Sequence, residues 1–427
     1  MLTYLIQTFG CKSNQYESQA IRESLAAGGF VETAELSDAM LYIINTCGVT
    51  GRAGASCRNA IRKALRANPA LRIVVTGCGV DLGDPLPETS PAPLLIPNAK
   101  KHAFPSLILS WLDDTAPEPA VGEDRFALSI SSFQGHTRAF LKVQDGCDNY
   151  CTYCAVPRAR GRPQSRPSAL VLDEAKRLVG SGHPELVLTG INIGVYNDGV
   201  FDFADLVVRL AETPGLVRLR LGSVEPPQMT ERLADSMRSN SRICPHVHLP
   251  LQSGDDRVLA AMGRRYGSGE FLEKAAMLRE RLHLPAVTTD VIVGFPGEDA
   301  AAFKASMDVC RRARFSRIHL FLFSARPGTP AAAMRRTVAD REIEEWKTAL
   351  IELGRESAER YAASCVGLEE RVIVERGGEG AHGLTDRYLT ARLACAIEPG
   401  ETRNVVVTGH NGVELSAQLR QCTTHNS

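Results

Sequence analysis

Apolar positions in the first part of the chain alternate between two spacings. Leu2–Gln7, Ala39–Asn45 and Arg72–Thr76 are short runs rich in branched and aromatic residues and read as strands. Asn14–Ala27 and Gly54–Ala67 carry helical spacing, stopped by Gly28-Gly29 and by Asn68-Pro69. This βαβαβ order predicts a parallel sheet with helices on its faces. Asp84–Pro97 interrupts it, because Pro85, Pro87, Pro91, Pro93 and Pro97 suit neither helix nor central strand. A surface excursion is expected there. A polar stretch, Asp113–Asp124, ends this first unit, placed at residues 1–120.

The alternation resumes at Arg138. Strands are expected at Ala139–Val143, Glu185–Thr189, Val217–Leu221, His246–Leu249, Ala286–Val293 and Arg317–Phe321. Helices such as Ser168–Ser181, Phe203–Thr213 and Gly269–Leu282 fall between them. The repeated unit suggests a partial (βα) barrel with its site at the C-terminal strand ends. His246 and His248 alternate along one strand, so one of them is expected to face the core. A charged helix, Val338–Ala363, closes this second unit, residues 133–363. In residues 364–427 short strands at Arg371–Glu375, Tyr388–Leu393 and Val405–Thr408 alternate with Gly-rich turns, the mark of a small β-barrel.

Composition narrows the picture. A chain of 427 residues with 44% hydrophobic residues has room for several cores. Net charge is zero, so no global field announces a partner. The first ten residues, Met1–Gly10, lack a basic leader, and no apolar run approaches the roughly 18 residues of a membrane span. A cytoplasmic protein without a membrane partner is expected. In a reducing cytosol its twelve cysteines are then buried hydrophobes or metal ligands.

Spacing separates the two. Cys147, Cys151 and Cys154 lie at offsets of four and three in one loop after the first barrel strand. Clustered thiolates suit zinc or an iron–sulfur cluster. Structural zinc asks for a fourth ligand, and none lies close by in the sequence. Three ligands on a four-iron cluster leave one iron open to a small molecule. Cys11, Cys47 and Cys78 each follow one of the first three strands, at the sheet end where such folds place their sites. Cys57, inside a helix, is read as structural.

Cys147-x-x-x-Cys151-x-x-Cys154, with Tyr153 before the last cysteine, resembles the radical S-adenosylmethionine superfamily. Together with the upstream cysteines it resembles the methylthiotransferases within that superfamily, over essentially the whole chain. The resemblance implies an α/β chain: an N-terminal parallel βαβ domain, a central partial (βα) barrel of radical S-adenosylmethionine type and a small C-terminal β-barrel (TRAM). It implies two 4Fe-4S clusters, one on Cys147, Cys151 and Cys154 and an auxiliary one on Cys11, Cys47 and Cys78. It further implies S-adenosylmethionine as cofactor, with Ser223, Glu225, Gln252 and the Gly294 region lining its pocket. The expected partners are the anticodon stem-loop of tRNA and a flavodoxin-type electron donor.

Three branches of the family act on isopentenyl-adenosine in tRNA, on threonylcarbamoyl-adenosine in tRNA, or on an aspartate of a ribosomal protein. Gly10-Cys-Lys-Ser-Asn-Gln-Tyr-Glu17 and Gly383-Leu-Thr-Asp-Arg-Tyr388 resemble the threonylcarbamoyl branch. The other two branches stay open, as does an iron–sulfur RNA-binding protein without catalysis. Basic groups fit an RNA partner: Arg158, Arg160, Arg162 and Arg166; Arg52, Arg58, Arg62, Lys63 and Arg66; Arg311, Arg312, Arg314 and Arg317. The C-terminal module is expected to add a basic face with exposed aromatics.

Overall fold

The computed structural model describes residues 1–48, 51–115 and 125–420. Val49 and Thr50, the Arg52 side chain, most of the Asp113–Asp124 stretch and residues 421–427 lie outside the described residues. The first unit comprises β1 (Thr3–Thr8), α1 (Lys12–Ala27), β2 (Val31–Glu32), β3 (Leu41–Thr46), α2 (Gly51–Ala67), β4 (Arg72–Gly77), α3 (Cys78–Asp81), β5 (Leu94–Ile96) and α4 (Phe104–Leu112). Its sheet is parallel, in the order β2-β1-β3-β4-β5.

Side-chain alternation explains why both faces are covered. Leu41 and Ile43 of β3 point to a core with Ile21, Leu25 and Phe104, while Tyr42 and Ile44 point to one with Cys57 and Ile61. Cys57 is thus a buried small hydrophobe, as expected. The proline-rich excursion differs from expectation: it returns Leu94–Ile96 to the sheet as β5, paired with Val74–Thr76 of β4. An edge position tolerates the flanking Pro93 and Pro97 because one side of the strand donates to no partner.

The second unit contains β6 (Arg138–Lys142), β7 (Gln144–Asp145), α5 (Val156–Arg160), β8 (Gln164–Ser165), α6 (Ser168–Gly180), β9 (Glu185–Thr189), α7 (Phe203–Ala211), β10 (Arg218–Arg220) and α8 (Glu231–Ser239). It continues through β11 (His246–His248), α9 (Asp256–Ala261), α10 (Ser268–Arg281), β12 (Ala286–Val293), α11 (Ala300–Ala313), β13 (Arg317–Leu322) and α12 (Asp340–Ser364). Parallel ladders join β6-β9-β10 and β11-β12-β13. The bridges Leu219–Ile243 and Ser223–His248 tie the two ladders together. The result is a curved, six-stranded open barrel in chain order. Its β13 edge leaves Phe321 and Leu322 exposed. Helix starts follow the sequence: Asp202, Thr230, Asp255 and Asp299 each accept a backbone N–H at the start of α7, α8, α9 and α11.

The last unit is a closed barrel of β14 (Glu369–Arg376), β15 (His382–Thr385), β16 (Thr390–Leu393), β17 (Thr402–Asn411) and β18 (Glu414–Leu419), ordered β14-β15-β16-β18-β17. Its Thr385–Tyr388 turn is the part of the module that differs most from expectation. The turn faces the larger barrel instead of solvent. Tyr388 stacks on His246 with ring centroids 4.8 Å apart and lies under the Arg220 guanidinium at 4.9 Å. Arg220 donates to the backbone carbonyls of Asp386 at 2.9 Å and Thr385 at 3.1 Å, and Arg218 donates to the Asp386 carboxylate at 3.2 Å. Arg387 reaches back to the carbonyls of His283 and Leu284. This turn therefore plugs the floor of the larger barrel.

Glu185 anchors the plug from below, accepting from Arg218 and Arg220 at 2.7 Å each. Burial alone would raise its carboxyl, but Arg220 and Arg218 hold it down to about 2. Glu185→Gln leaves two buried guanidiniums facing a neutral amide. It should cost about 3 to 5 kcal/mol in urea denaturation, the loss expected when one partner of a buried ion pair is removed. A loss below about 1 kcal/mol would show that the plug is not held this way.

Candidate active site

The loop carrying Cys147, Cys151 and Cys154 leaves the short β7 strand and is fastened at several points. The Cys147 N–H donates to the Gly161 carbonyl at 3.1 Å, and the Thr152 N–H to the Met262 carbonyl at 2.9 Å. The Thr152 hydroxyl donates to Ala261 at 2.8 Å. Cys151 is buried, and Cys147 and Cys154 are half-buried. Burial pushes the Cys154 thiol up to about 12 and raises Cys147 as well. Free Cys147 and Cys154 thiols stay protonated, so a bound metal is what would draw out their thiolates.

Arg264 joins this loop to Glu225. It donates to Cys151 Sγ at 3.2 Å and to the Tyr266 hydroxyl at 3.1 Å, and pairs with the Glu225 carboxylate. Sequence reasoning missed Arg264; the signal was Gly263-Arg-Arg-Tyr266 directly after α9. A cavity of about 210 Å³ lies against this group, lined by Asn149, Cys151, Glu225, Gln228 and Arg264.

The barrel lumen forms a second cavity of about 340 Å³. Its walls follow the strand register. Ser223, His248, Thr288 and Arg317 make one row across four strands, and Asp290 and His319 make the next. His248 bonds Thr288 at 3.0 Å and Asp290 at 3.3 Å. Both His246 and His248 line the lumen, His246 deeply buried and His248 partly so. Burial and Arg220 hold the His246 imidazole well below its usual range, hence neutral.

The four residues expected at the S-adenosylmethionine pocket do not share one cavity. Ser223 faces the lumen and Glu225 the cavity beside Cys151. Gln252 and Gly294 line neither. Gln252 is buried with φ +65° and bridges to Val291. Gly294 turns the chain after β12, its N–H donating to Glu298 at 2.6 Å.

The loops that carry Cys11, Cys47 and Cys78 meet at the sheet end. A Cβ on Gly10 (φ +105°) would stand 2.6 Å from Cys47 Cβ, and one on Gly48 would stand 3.0 Å from Cys78 Cβ. Only glycines allow the three loops to pack this closely. Cys11 precedes α1 and is exposed; Cys47 and Cys78 are buried. Among the described residues, no group of three or more His, Cys, Asp or Glu side chains converges on a single-ion site.

Arg160 links the two sets of thiols. It is fully buried at the end of α5, a few residues after Cys154. Its Nε donates to Cys78 Sγ at 3.1 Å. Its other nitrogens reach Glu17 at 2.7 Å, Asn14 at 2.8 Å and Asp145 at 3.0 Å. Lys142 bonds Glu17 at 2.7 Å and Asp145 at 2.8 Å, and Lys101 pairs with Glu17. Burial would raise the Glu17 carboxyl, yet Arg160, Lys101 and Lys142 hold it well below the usual carboxylate range. Three cations thus bond two carboxylates directly, with Asp81 also near Lys101 and Arg160, and the Arg160 guanidinium would favour a thiolate at Cys78. This donor set fits a cluster that draws charge from Cys78.

The basic groups divide. On α2, Arg62, Lys63 and Arg66 are exposed; Arg62 donates to Asn59 and Arg66 to the Arg62 carbonyl, both on the same helix. Arg160 and Arg166, expected to face phosphate, are buried instead, Arg166 against Glu174 at 2.7 Å. Arg311 is tied to Asp308 on α11.

Comparison with known proteins agrees with this architecture. A family model described as "Radical SAM superfamily" matches residues 141–310, and one described as "Uncharacterized protein family UPF0004" matches residues 3–87. Two solved radical S-adenosylmethionine enzymes share the fold. The methyltransferase TsrM of Kitasatospora setae has a TM-score of 0.58 at 16% identity, over 78% of this chain and 75% of its own. The cobalamin-dependent enzyme OxsB has a TM-score of 0.54 at 10% identity, over 84% of this chain and 56% of its own. The open barrel with its three-cysteine loop is that of a radical S-adenosylmethionine enzyme.

Sequence relatives narrow the class. The threonylcarbamoyladenosine tRNA methylthiotransferase MtaB of Chlamydia pneumoniae is 38% identical, over 88% of this chain and 87% of its own. The protein of the same name from Thermotoga maritima is 35% identical, over 88% and 87%. The tRNA-2-methylthio-N(6)-dimethylallyladenosine synthase of Thermodesulfovibrio yellowstonii is 31% identical, over 94% and 95%. The chain belongs to the family of radical S-adenosylmethionine tRNA methylthiotransferases. These are enzymes of S-adenosylmethionine and iron–sulfur chemistry.

Glu298 offers a test of the Gly294 turn. Burial pushes its carboxyl up to about 7. A carboxyl that holds its proton more tightly when folded stabilises the fold at acid pH. That contribution is lost as pH rises from about 4.5 to about 7. Glu298→Gln keeps an acceptor for the Gly294 N–H but removes the titration. The melting temperature of the variant should fall less than that of the wild type between about pH 5 and pH 8; parallel curves would refute this role.

Proposed function

We propose that this chain adds a methylthio group at C2 of N6-threonylcarbamoyladenosine beside the tRNA anticodon. The observation that carries the reading is the position of Lys12. It follows Cys11 directly, yet it lines the barrel lumen together with Ser223 and Asp290. The loop of the second set of thiols therefore reaches the lumen, while Cys151 of the first set lines the other cavity with Glu225, two residues along the chain from lumen-lining Ser223. The threonylcarbamoyladenosine names of similar proteins support the choice of nucleoside.

In this reading Cys147, Cys151 and Cys154 hold the radical-generating 4Fe-4S cluster, and Cys11, Cys47 and Cys78 hold the auxiliary one. When bound, the clusters supply the electron that cleaves S-adenosylmethionine and the sulfur that is methylated and delivered. Glu225, held beside Cys151 by Arg264, orients the S-adenosylmethionine amino group, and Ser223 meets the cofactor from the lumen side; Gln252 and Gly294, outside both cavities, act on the site only through the strand ends they shape. Arg160 holds Cys78 in place through the buried charge group. The target base leaves the anticodon stack to enter the lumen, as enzymes acting on bases require. The exposed cations of α2 hold phosphates of the anticodon stem-loop.

The reading assigns residues 1–120 to the auxiliary-cluster domain, 133–363 to the radical barrel and 364–427 to an RNA-binding TRAM module. No helix among the described residues is long and apolar enough to cross a membrane, which agrees with a cytoplasmic site of action. A flavodoxin-type protein is the electron donor in this scheme.

Two variants separate the clusters. Cys151→Ala should abolish cleavage of S-adenosylmethionine. Cys47→Ala should retain cleavage but lose thiolation; a Cys47→Ala enzyme that still thiolates would refute the auxiliary assignment. Nucleosides from tRNA of a strain lacking the gene, weighed by mass spectrometry, identify the substrate. Loss of the methylthio-threonylcarbamoyl nucleoside, restored by complementation, is the expected result. Loss of the isopentenyl counterpart instead would transfer the activity to that nucleoside.

A further inference from the structure

The lumen contains more positive charge than its own residues neutralise. Of the cations that line it, Arg220 is fully engaged by Glu185 and by the carbonyls of Thr385 and Asp386. The one acid in the lining, Asp290, lies 3.3 Å from His248 and can offset only one of the two remaining cations. Lys12 and Arg317 remain, and among the described residues no carboxylate pairs with either. His319 stands beside them, and burial keeps its imidazole below the usual range, so it adds a hydrogen-bonding group and not a charge.

The two cations enter from different elements. Lys12 begins α1 of the first unit, and Arg317 begins the free-edge strand β13. Phe321, on the same strand and in the same cavity lining, is exposed, giving a flat apolar surface for a nucleobase. The cavity thus offers an aromatic surface, polar groups and two uncommitted cations. That set complements a base whose substituent ends in an anion.

We infer that Lys12 and Arg317 are specificity residues that receive the carboxylate of the threonyl substituent on the target adenosine. The inference rests on the proposed substrate: a threonylcarbamoyl group carries a free carboxylate, whereas an isopentenyl group carries none. A charge-assisted bond at a partly enclosed site favours the acid substrate over an uncharged one by about 10- to 100-fold.

The test uses reconstituted full-length enzyme and two anticodon stem-loop RNAs, one with the threonylcarbamoyl acid and one with that carboxylate capped as a primary amide. Wild type, Lys12→Met, Lys12→Arg, Arg317→Met and the Lys12→Met/Arg317→Met double variant are compared. Iron content and cleavage of S-adenosylmethionine without RNA report on the folded, loaded enzyme. Wild type should lose about 10- to 100-fold in kcat/KM on the amide RNA, mainly through KM. The double variant should lose a similar factor on the acid RNA and show little preference between the two. Lys12→Arg should retain most of the preference.

Equal losses on both RNAs would overturn the inference and place the cations on RNA phosphates. A raised KM for S-adenosylmethionine with an unchanged RNA preference would overturn it in favour of the cofactor's carboxylate. A wild type that uses both RNAs equally well would also refute it. A wild type that thiolates neither RNA but accepts an isopentenyl one would instead refute the proposed substrate.

Discussion

Glu17, Lys101, Lys142, Asp145 and Arg160 meet in a buried charge group between the first sheet and the open barrel. Charges this deep are tolerated only when each has partners, because their desolvation is not recovered otherwise. Glu17 comes from α1, and Lys101 from the segment preceding α4. Lys142, Asp145 and Arg160 come from the strands and helix that flank the three-cysteine loop. The group therefore fixes the two units relative to each other more firmly than apolar contact would, since charged partners demand a particular geometry. It also fixes the two sets of cysteines, because the guanidinium that closes it touches Cys78.

Much of this was legible in the chain. Period-two and period-3.6 spacing located the first sheet and the six barrel strands within a few residues, because both faces of a parallel sheet are buried and leave near-continuous apolar runs. The matching places of Cys11, Cys47 and Cys78 after successive strands were enough to bring them to one sheet end. Other features were hidden because their cause is tertiary. Pro93 and Pro97 argued against a strand, yet an edge strand lies between them. β15 and β18 were overlooked because Gly383, Ser416 and Ala417 give little strand signal when barrel closure, not propensity, drives pairing.

Charge was the least legible quantity. Arg158, Arg160, Arg162 and Arg166 read as one basic run, but local sequence cannot show which arginine meets an acid from a distant helix. Glu17 and Glu174 claim two of the four for the interior. Tyr388 is likewise withdrawn from the outer face of its module, because His246 and Arg220 of the larger barrel claim its ring. Arg264 escaped notice because its partners, Cys151, Glu225 and Tyr266, are brought together only by the curvature of the barrel.

The docking of the small β-barrel has a mechanical consequence. A module joined only by a tether would swing, and its outer face would sample many positions. Here Asp386, Arg387 and Tyr388 are seated among Arg218, Arg220, His246 and the His283–Leu284 carbonyls. A module seated this way behaves as a rigid strut. Whatever its outer face holds is kept at a constant distance from the floor of the larger barrel. A fixed reach makes the module a ruler, a length set by the fold and not by a flexible linker.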